Sequence, residues 1–208
     1  MATRRISVNV GGLWRTPIEL KEEATWYDLK IEIGKVTGIP SDFQKLEPND
    51  NDNKKCKLEE GDDVFCDWKL LLNGYHPLHY AAATGNIKAI HSWLTSGADI
   101  NVANKNGTTP LMFACATPEK ECCVAELLRL GANANAIDAT GNTALCYKAA
   151  HCHKVDLKTS ERIAKILIKA GCDPTICNKN GETFIDILKR RYQNKLAKKL
   201  EEWLKEME

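Results

Sequence analysis

The residues with the most chemical potential crowd into the second half of the chain. His151, Cys152 and His153 are consecutive, Cys146 lies a little upstream, and Cys122 and Cys123 form an adjacent pair before that. Imidazoles and thiolates are the ligands zinc prefers, four of them in a tetrahedron. Cys146 and His151 can approach one another across a helix, but the paired spacings of structural zinc sites, C-x2-C with H-x3-5-H, are absent. A cysteine nucleophile would need a histidine base, an orienting Asn or Asp and an oxyanion hole, and no pattern ties any cysteine to such a set. Neither Gly-x-x-x-x-Gly-Lys-Ser/Thr nor His-Glu-x-x-His occurs. The sequence therefore assigns no catalytic residue, no metal ligand and no cofactor. The 151–158 segment reads as a solvated loop, with a metal- or redox-sensing regulator as the alternative.

The elements that hold these residues must come from an ordinary folded chain. Its 208 residues are 43% hydrophobic and 27% charged, with a formal net charge of +1. Such a balance supplies no global field toward nucleic acid or anionic lipid. Met1 to Val10 lacks the apolar core of a signal peptide, and no stretch approaches a membrane span. Nine cysteines, an odd number at irregular spacing, argue for free thiols packed as small hydrophobes in a reducing compartment. The expectation is an intracellular monomer, cytoplasmic or also nuclear. The run Lys189 to Lys199 carries six basic residues and no acid. It reads as the solvated face of a helix, balanced by the acidic residues that follow.

A sentence recurs through residues 73–208. It reads Gly74-Tyr-His-Pro-Leu-His-Tyr-Ala-Ala82, then Gly107-Thr-Thr-Pro-Leu-Met-Phe-Ala-Cys115, then Gly141-Asn-Thr-Ala-Leu-Cys-Tyr-Lys-Ala149, and finally Gly181-Glu-Thr-Phe-Ile-Asp-Ile-Leu188. The opening glycines fall 33, 34 and 40 residues apart, and Gly97, Gly131 and Gly171 close the first three units. This period and the Thr-Pro-Leu-His-x-Ala signature resemble the ankyrin repeat, a unit of a turn and two helices that buries its apolar face only against a neighbour. The resemblance implies an all-α solenoid of about three full repeats and a C-terminal capping repeat. Thr should cap each first helix and Pro fit its first position. His76 replaces Thr in the first unit and can still accept a helix amide, while His79 should bond within its own repeat. Departures are Met112 for His, Pro118 for an inter-helix Gly, Ala144 for Pro, Lys148 for a packing Ala, and extra residues near 151–158.

Residues 1–72 follow another grammar. Ile6, Val8 and Val10 alternate, as do Thr16, Ile18 and Leu20, predicting a hairpin through Gly11-Gly12. Trp26, Leu29, Ile33 and Val36 repeat at helical spacing after a cap at Thr25 or Asp28, and Gly38 and Pro40 end that helix. Val64 to Leu72 reads as a closing strand. With Gly38-Ile-Pro-Ser-Asp-Phe-Gln-Lys-Leu46, the segment from Ile6 to Leu46 resembles ubiquitin, which implies a β-grasp fold. Departures are Glu47-Pro48 and a polar loop where ubiquitin carries a receptor-binding apolar pair, and no free Gly-Gly tail for conjugation. The domain is expected to cap the first repeat, or to dock a partner. The fold class is thus α+β: an N-terminal ubiquitin-like domain followed by an ankyrin solenoid.

Resemblance to the ankyrin family also implies where a partner would sit, on hairpin tips and the ends of first helices. These positions are Tyr75, Thr84, Lys105, Asn106, Thr108, Thr117, Thr140, Asn142, His151, Lys179, Asn180 and Glu182, with Ala83, Ala116, Ala139 and Ala150 among them. The implied function is a non-enzymatic adaptor that binds a protein partner on the concave face, with no nucleic acid or membrane. The alternative is an adaptor of the ubiquitin–proteasome pathway that docks through its ubiquitin-like domain.

Overall fold

The structure, a computed structural model, describes residues 3–10, 14–21, 23–39, 41, 44–47, 63–67, 75–118, 120–152 and 157–207. The expected Gly11-Gly12 turn, residues 68–72 of the closing strand, and His153 lie outside them. The described chain forms two compact units: Met1–Ala81 with Asn86–Asp99, and Ala82–Gly85 with Ile100–Glu208.

In the first unit, β1 (Thr3–Val10) and β2 (Trp14–Lys21) pair antiparallel, with Ile6 opposite Ile18 and Arg4 opposite Leu20. Two further strands, β3 (Lys45–Glu47) and β4 (Asp63–Asp67), complete a four-stranded sheet in the order β2-β1-β4-β3. β4 runs parallel to β1 and antiparallel to β3. Strand alternation sends Ile6, Val8, Ile18 and Leu20 to the buried face. Helix α1 (Trp26–Thr37) lies against β2 and buries Trp26, Leu29 and Ile33.

The ends of α1 form as its sequence dictates. Thr25 and Asp28 cap it reciprocally, each side chain bonding the other's backbone amide. Gly38 ends it at φ 74°, a left-handed turn suited to glycine. Gln44, buried, then ties the following turn to the helix by donating to the carbonyls of Lys30 and Ile39.

The same unit holds the helices of the first repeat, α2 (Pro77–Thr84, through Ala81) and α3 (Ile87–Thr95). The Trp93 indole donates to the Thr37 carbonyl, and Asn86 donates to the Lys35 carbonyl. A Cβ on Gly38 would stand 2.9 Å from that of Ala81. The N-terminal helix is therefore packed directly on the first repeat. The Leu78 amide donates to His76 Nδ1 at 3.1 Å, and the His76 amide to His79 Nδ1 at 2.9 Å. Histidine thus takes over the capping task expected of Thr. Burial, reinforced by His79, pushes the His76 pKa down to about 4, so the ring is neutral and free to accept that bond.

The second unit stacks three further helix pairs: α4 (Pro110–Ala116) with α5 (Glu121–Arg129), α6 (Ala144–Ala150) with α7 (Leu157–Lys169), and α8 (Phe184–Arg190) with α9 (Asn194–Lys205). The first helices form one layer, α4 against α6 and α6 against α8; the second helices form another, α5 against α7 and α7 against α9. Leu111, Leu127, Leu145, Leu167, Leu188 and Leu200 are buried between the layers. Of the described cysteines, Cys115, Cys123, Cys146, Cys152 and Cys172 are buried and unbridged, while Cys122 and Cys177 are exposed.

Candidate functional site

Before each first helix of the second unit stands a hairpin finger of repeated construction. The sequences are Asn104-Lys-Asn-Gly-Thr108, Asp138-Ala-Thr-Gly-Asn142 and Asn178-Lys-Asn-Gly-Glu182. In each, the leading Asn or Asp folds its side-chain oxygen over the turn. Asn104 Oδ1 accepts the amides of Asn106 and Thr108 at 2.9 and 3.0 Å. Asp138 Oδ1 accepts those of Thr140 and Asn142 at 2.8 and 2.9 Å, and Asn178 Oδ1 those of Asn180 and Glu182 at 2.9 and 3.0 Å. These residues suit the task because their short polar side chains mimic a backbone turn. Their own amides bond across the finger, to the carbonyls of Thr108, Asn142 and Glu182.

The fingers are joined edge to edge. The Ala139 amide donates to the Asn106 carbonyl at 2.8 Å, and the Lys179 amide to the Thr140 carbonyl at 2.9 Å. This close approach explains the tip glycines. Gly107 and Gly141 have φ of 75° and 79°, and a Cβ on either would come within 3.1 Å of the next finger's backbone. Glycine is needed there for both its dihedral freedom and its missing Cβ.

Fingers and first-helix ends together wall a groove of about 720 Å³, within the range of ligand sites. It brings together Asn106, Thr108, Thr140, Asn142, His151, Lys179, Asn180 and Glu182 of the residues singled out from sequence. Lys105, Thr84 and Thr117 do not line it. The Thr117 hydroxyl is spent on the Phe113 carbonyl. Tyr75 belongs to the first unit, where its ring meets those of His79 and Tyr80 edge-on. Thr108 is only 5% exposed and acts as a strut behind the wall.

The groove also contains Asp138, Tyr147 and Ile187, which the sequence reading passed over, together with Cys146, weighed there only as a metal ligand, and Arg190, read there only as part of a solvated basic run. Tyr147 ties adjacent fingers together, its hydroxyl donating to Asp138 Oδ2 at 2.9 Å and lying 3.2 Å from Thr108 Oγ. The His151 ring stacks on Tyr147 at an interplanar angle of 11°, and its Nδ1 lies 3.0 Å from the Tyr147 carbonyl. Burial alone would raise the Asp138 pKa, but hydrogen bonds from Thr140, Asn142 and Tyr147 outweigh it and hold the carboxyl below its ordinary range. Glu182 is held down likewise, first by the Asn178 amide and then by Arg190, whose Nε lies 2.7 Å from its carboxylate. A readable signal marked the finger residues: each stands three positions before a tip glycine, as Asn104, Asp138 and Asn178 do before Gly107, Gly141 and Gly181.

The cysteine–histidine constellation comes together only in part. Cys146 Sγ takes the Thr143 hydroxyl at 3.5 Å, and Cys152 is buried beside the exposed His151. Among the described residues, no three His, Cys, Asp or Glu side chains are placed to hold one metal ion. Burial pushes the thiol of Cys123 up to about 11, that of Cys172 up to about 12, and that of Cys115 higher still. Such thiols stay protonated and unreactive near neutral pH. Among the described residues no helix is long and apolar enough to cross a membrane.

Comparison with known proteins agrees with the repeat geometry. Residues 78–178 match the family model for ankyrin repeats in three copies. Human "Ankyrin repeat and SOCS box protein 6" is 33% identical over 110 residues, which cover 52% of this chain and 26% of that protein. The protein of the same name from Pongo abelii is 34% identical over 110 residues, with the same coverage of 52% and 26%. "Probable E3 ubiquitin-protein ligase XBOS32" of Oryza sativa subsp. japonica is 41% identical over 78 residues, 37% of this chain and 16% of that protein. The chain thus spans about a quarter or less of the length of these relatives. It carries ankyrin repeats, whose stacked units present the extended surfaces used in protein–protein interaction.

Proposed function

We propose that the chain is a non-enzymatic adaptor that holds a protein partner in the groove of the second unit. The observation that carries this reading is the finger ladder. Three turns locked by their own Asn or Asp side chains, and bonded to one another, give a rigid wall whose shape exists before anything binds. Preorganisation of that kind lowers the ordering cost of association. Capture from native lysate tests it, with wild type run beside Ala139→Arg, which fills the groove from an exposed position, and Thr84→Arg, which leaves it open. A partner lost with Ala139→Arg and kept with Thr84→Arg is the expected result. A partner retained by both variants would move the site elsewhere.

The N-terminal segment is proposed to be a ubiquitin-like β-grasp domain, over residues 1–72 in sequence terms. The mixed strand order β2-β1-β4-β3 and the single helix against the sheet support this, together with the gapless resemblance from Ile6 to Leu46. A second reading follows from the relatives, whose names include a SOCS box and a ubiquitin-protein ligase. In that reading the repeats choose a client for ubiquitin-pathway machinery that the N-terminal domain docks. Titration of the chain with purified proteasomal ubiquitin receptors tests it, and micromolar affinity would support it.

A further inference from the structure

Two of the fingers carry the same reactive dipeptide. They read Lys105-Asn106-Gly107 and Lys179-Asn180-Gly181, and both asparagines are exposed. A third Asn-Gly pair, Asn73-Gly74, lies outside the described residues. In such a pair the glycine backbone nitrogen can attack the side-chain carbonyl carbon of the asparagine, since no Cβ hinders the approach. The N–Cγ bond forms, the Cγ–Nδ2 bond breaks, and the displaced nitrogen takes up the backbone amide proton and leaves as ammonia. Solvent water then opens the five-membered imide at either carbonyl, giving aspartate or isoaspartate. No oxidant or reductant is needed. By sequence alone the two pairs should react alike.

The structure separates them. Ring closure requires the Asn–Gly peptide group to turn toward the side chain and its N–H to be released. In both fingers that N–H is held at 2.9 Å, Gly107 by the Asn104 carbonyl and Gly181 by the Asn178 carbonyl. The other side of the peptide group differs. The Asn106 carbonyl accepts the Ala139 amide of the next finger at 2.8 Å, whereas among the described residues no hydrogen bond reaches the Asn180 carbonyl. Space differs too. A Cβ on Gly107 would stand 3.1 Å from Asp138 Cα and Ala139 N, while one on Gly181 would meet nothing within 4 Å. The first peptide group is thus clamped on both sides and the second on one. Local opening costs least where the fewest contacts must break.

We infer that Asn180 is a site of spontaneous deamidation in the folded chain, and that the bond between fingers protects Asn106 from the same reaction. This does not depend on the groove being a partner site. The product still alters the groove. Asn180 lines it, so either acid adds a negative charge to the wall that also holds Glu182. Isoaspartate further inserts a methylene into the main chain between the amides of residues 180 and 182, which Asn178 Oδ1 accepts together. The last finger therefore changes charge and shape as the protein ages.

The test is incubation of the full chain at mildly alkaline pH, followed by digestion in mild acid and mass spectrometry of the peptides holding Asn106 and Asn180. A parallel sample in guanidinium chloride gives the rate of each site in the unfolded chain. Protection is the unfolded rate divided by the folded one, and it should be several-fold greater at Asn106 than at Asn180. Equal protection, greater protection at Asn180, or no conversion of Asn180 in the folded chain overturns the inference. Ala139→Pro probes the cause. The Gly141 amide bonds the Asp138 carbonyl, so Ala139 is the second residue of a turn, a place that suits proline, and the change removes the donor to Asn106. Asn106 should then convert at a rate approaching that of Asn180, and an unchanged rate in the folded variant overturns the protective role of the bond. Should the variant fail to fold, the wild-type comparison still decides.

Discussion

Each repeat of the second unit has two parts, a hairpin finger and a helical arm, and they use side-chain chemistry in opposite ways. The fingers repeat one solution: an Asn or Asp oxygen over the turn, a left-handed glycine at the tip, and a bond to the neighbouring finger where one follows. The arms improvise. At the third position of the first helix, the residue that takes a bond from the helix cap is Met112, Cys146 or Asp186, and His79 does so in the first unit. A thioether, a thiol, a carboxylate and an imidazole differ widely as acceptors. The arm tolerates them because buried leucines between helix layers supply most of its stability. A finger has no such core and depends on geometry alone.

The largest effect should come from the finger tips. Gly141→Ala forces a Cβ into the left-handed region and against the backbone of Asn178 and Lys179, and should destabilise the second unit by about 3 kcal/mol. Gly181→Ala has nearly the same φ of 74° but would meet nothing within 4 Å, so about 1 kcal/mol is expected. Denaturant unfolding of the two variants isolates the finger-to-finger contact. Equal losses would mean that the ladder adds nothing beyond the turn.

Next in size is the capping oxygen itself. Asp138→Ala leaves the Thr140 and Asn142 amides and the Tyr147 hydroxyl without their acceptor, at a cost of about 2 kcal/mol. Asp138→Asn keeps an oxygen there, as Asn104 and Asn178 do in their own fingers, and should lose well under half of that. The two also differ with pH. The folded Asp138 pKa is depressed, so its contribution is fully present above the ordinary carboxylate value of about 4 and is lost as pH falls through the folded value. Acid titration of stability should therefore be shallower in Asp138→Asn than in wild type.

In the arms the same surgery should matter less. Asp186 caps α8 reciprocally with Thr183, and Asp186→Ala should cost about 1 kcal/mol. Met112→Leu removes only a 3.5 Å amide–sulfur contact while keeping volume, so a loss of about 0.5 kcal/mol is expected. A loss for Met112→Leu equal to that for Asp186→Ala would show the arm to be as demanding as the finger.

This difference also decides what the sequence could reveal. The recognisable signature, Thr-Pro-Leu-His, sits at the start of the arm, so repeat count and helix order were legible, while Gly38 with Pro40 marked the end of α1 in the N-terminal segment. Eight of the proposed contact residues do line one groove, because their position follows from the repeat itself. Asp138 and Tyr147 escaped notice for a physical reason. Asp138 acts through four donors brought to it by the turn and by the neighbouring helix, and Tyr147 joins two fingers far apart in sequence. The first relation lies within one repeat and is marked only by the spacing of Asp138 from its tip glycine; the second, from Tyr147 to Thr108, crosses between repeats. His76, by contrast, was readable, since its task is local to its own helix start.

The smallest effect should be a gain, and it concerns an arm that keeps an unfavourable choice. Between α8 and α9, Tyr192 adopts a φ of 59°, and its side chain is 84% exposed. The corresponding corner of the first repeat holds Gly85 at a φ of 73°. A tyrosine in the left-handed region is strained, and so exposed a side chain has little packing to compensate. Its amide donates to the Lys189 carbonyl and that of Gln193 to the Leu188 carbonyl, bonds that glycine would preserve. Tyr192→Gly should therefore stabilise the second unit by up to about 1 kcal/mol, less the added freedom of glycine in the unfolded chain. A higher unfolding midpoint with unchanged m-value is the expected reading. A lower midpoint would mean that the tyrosine ring, despite its exposure, holds the last helix pair together, and the arm would then have a geometric constraint as strict as the finger's.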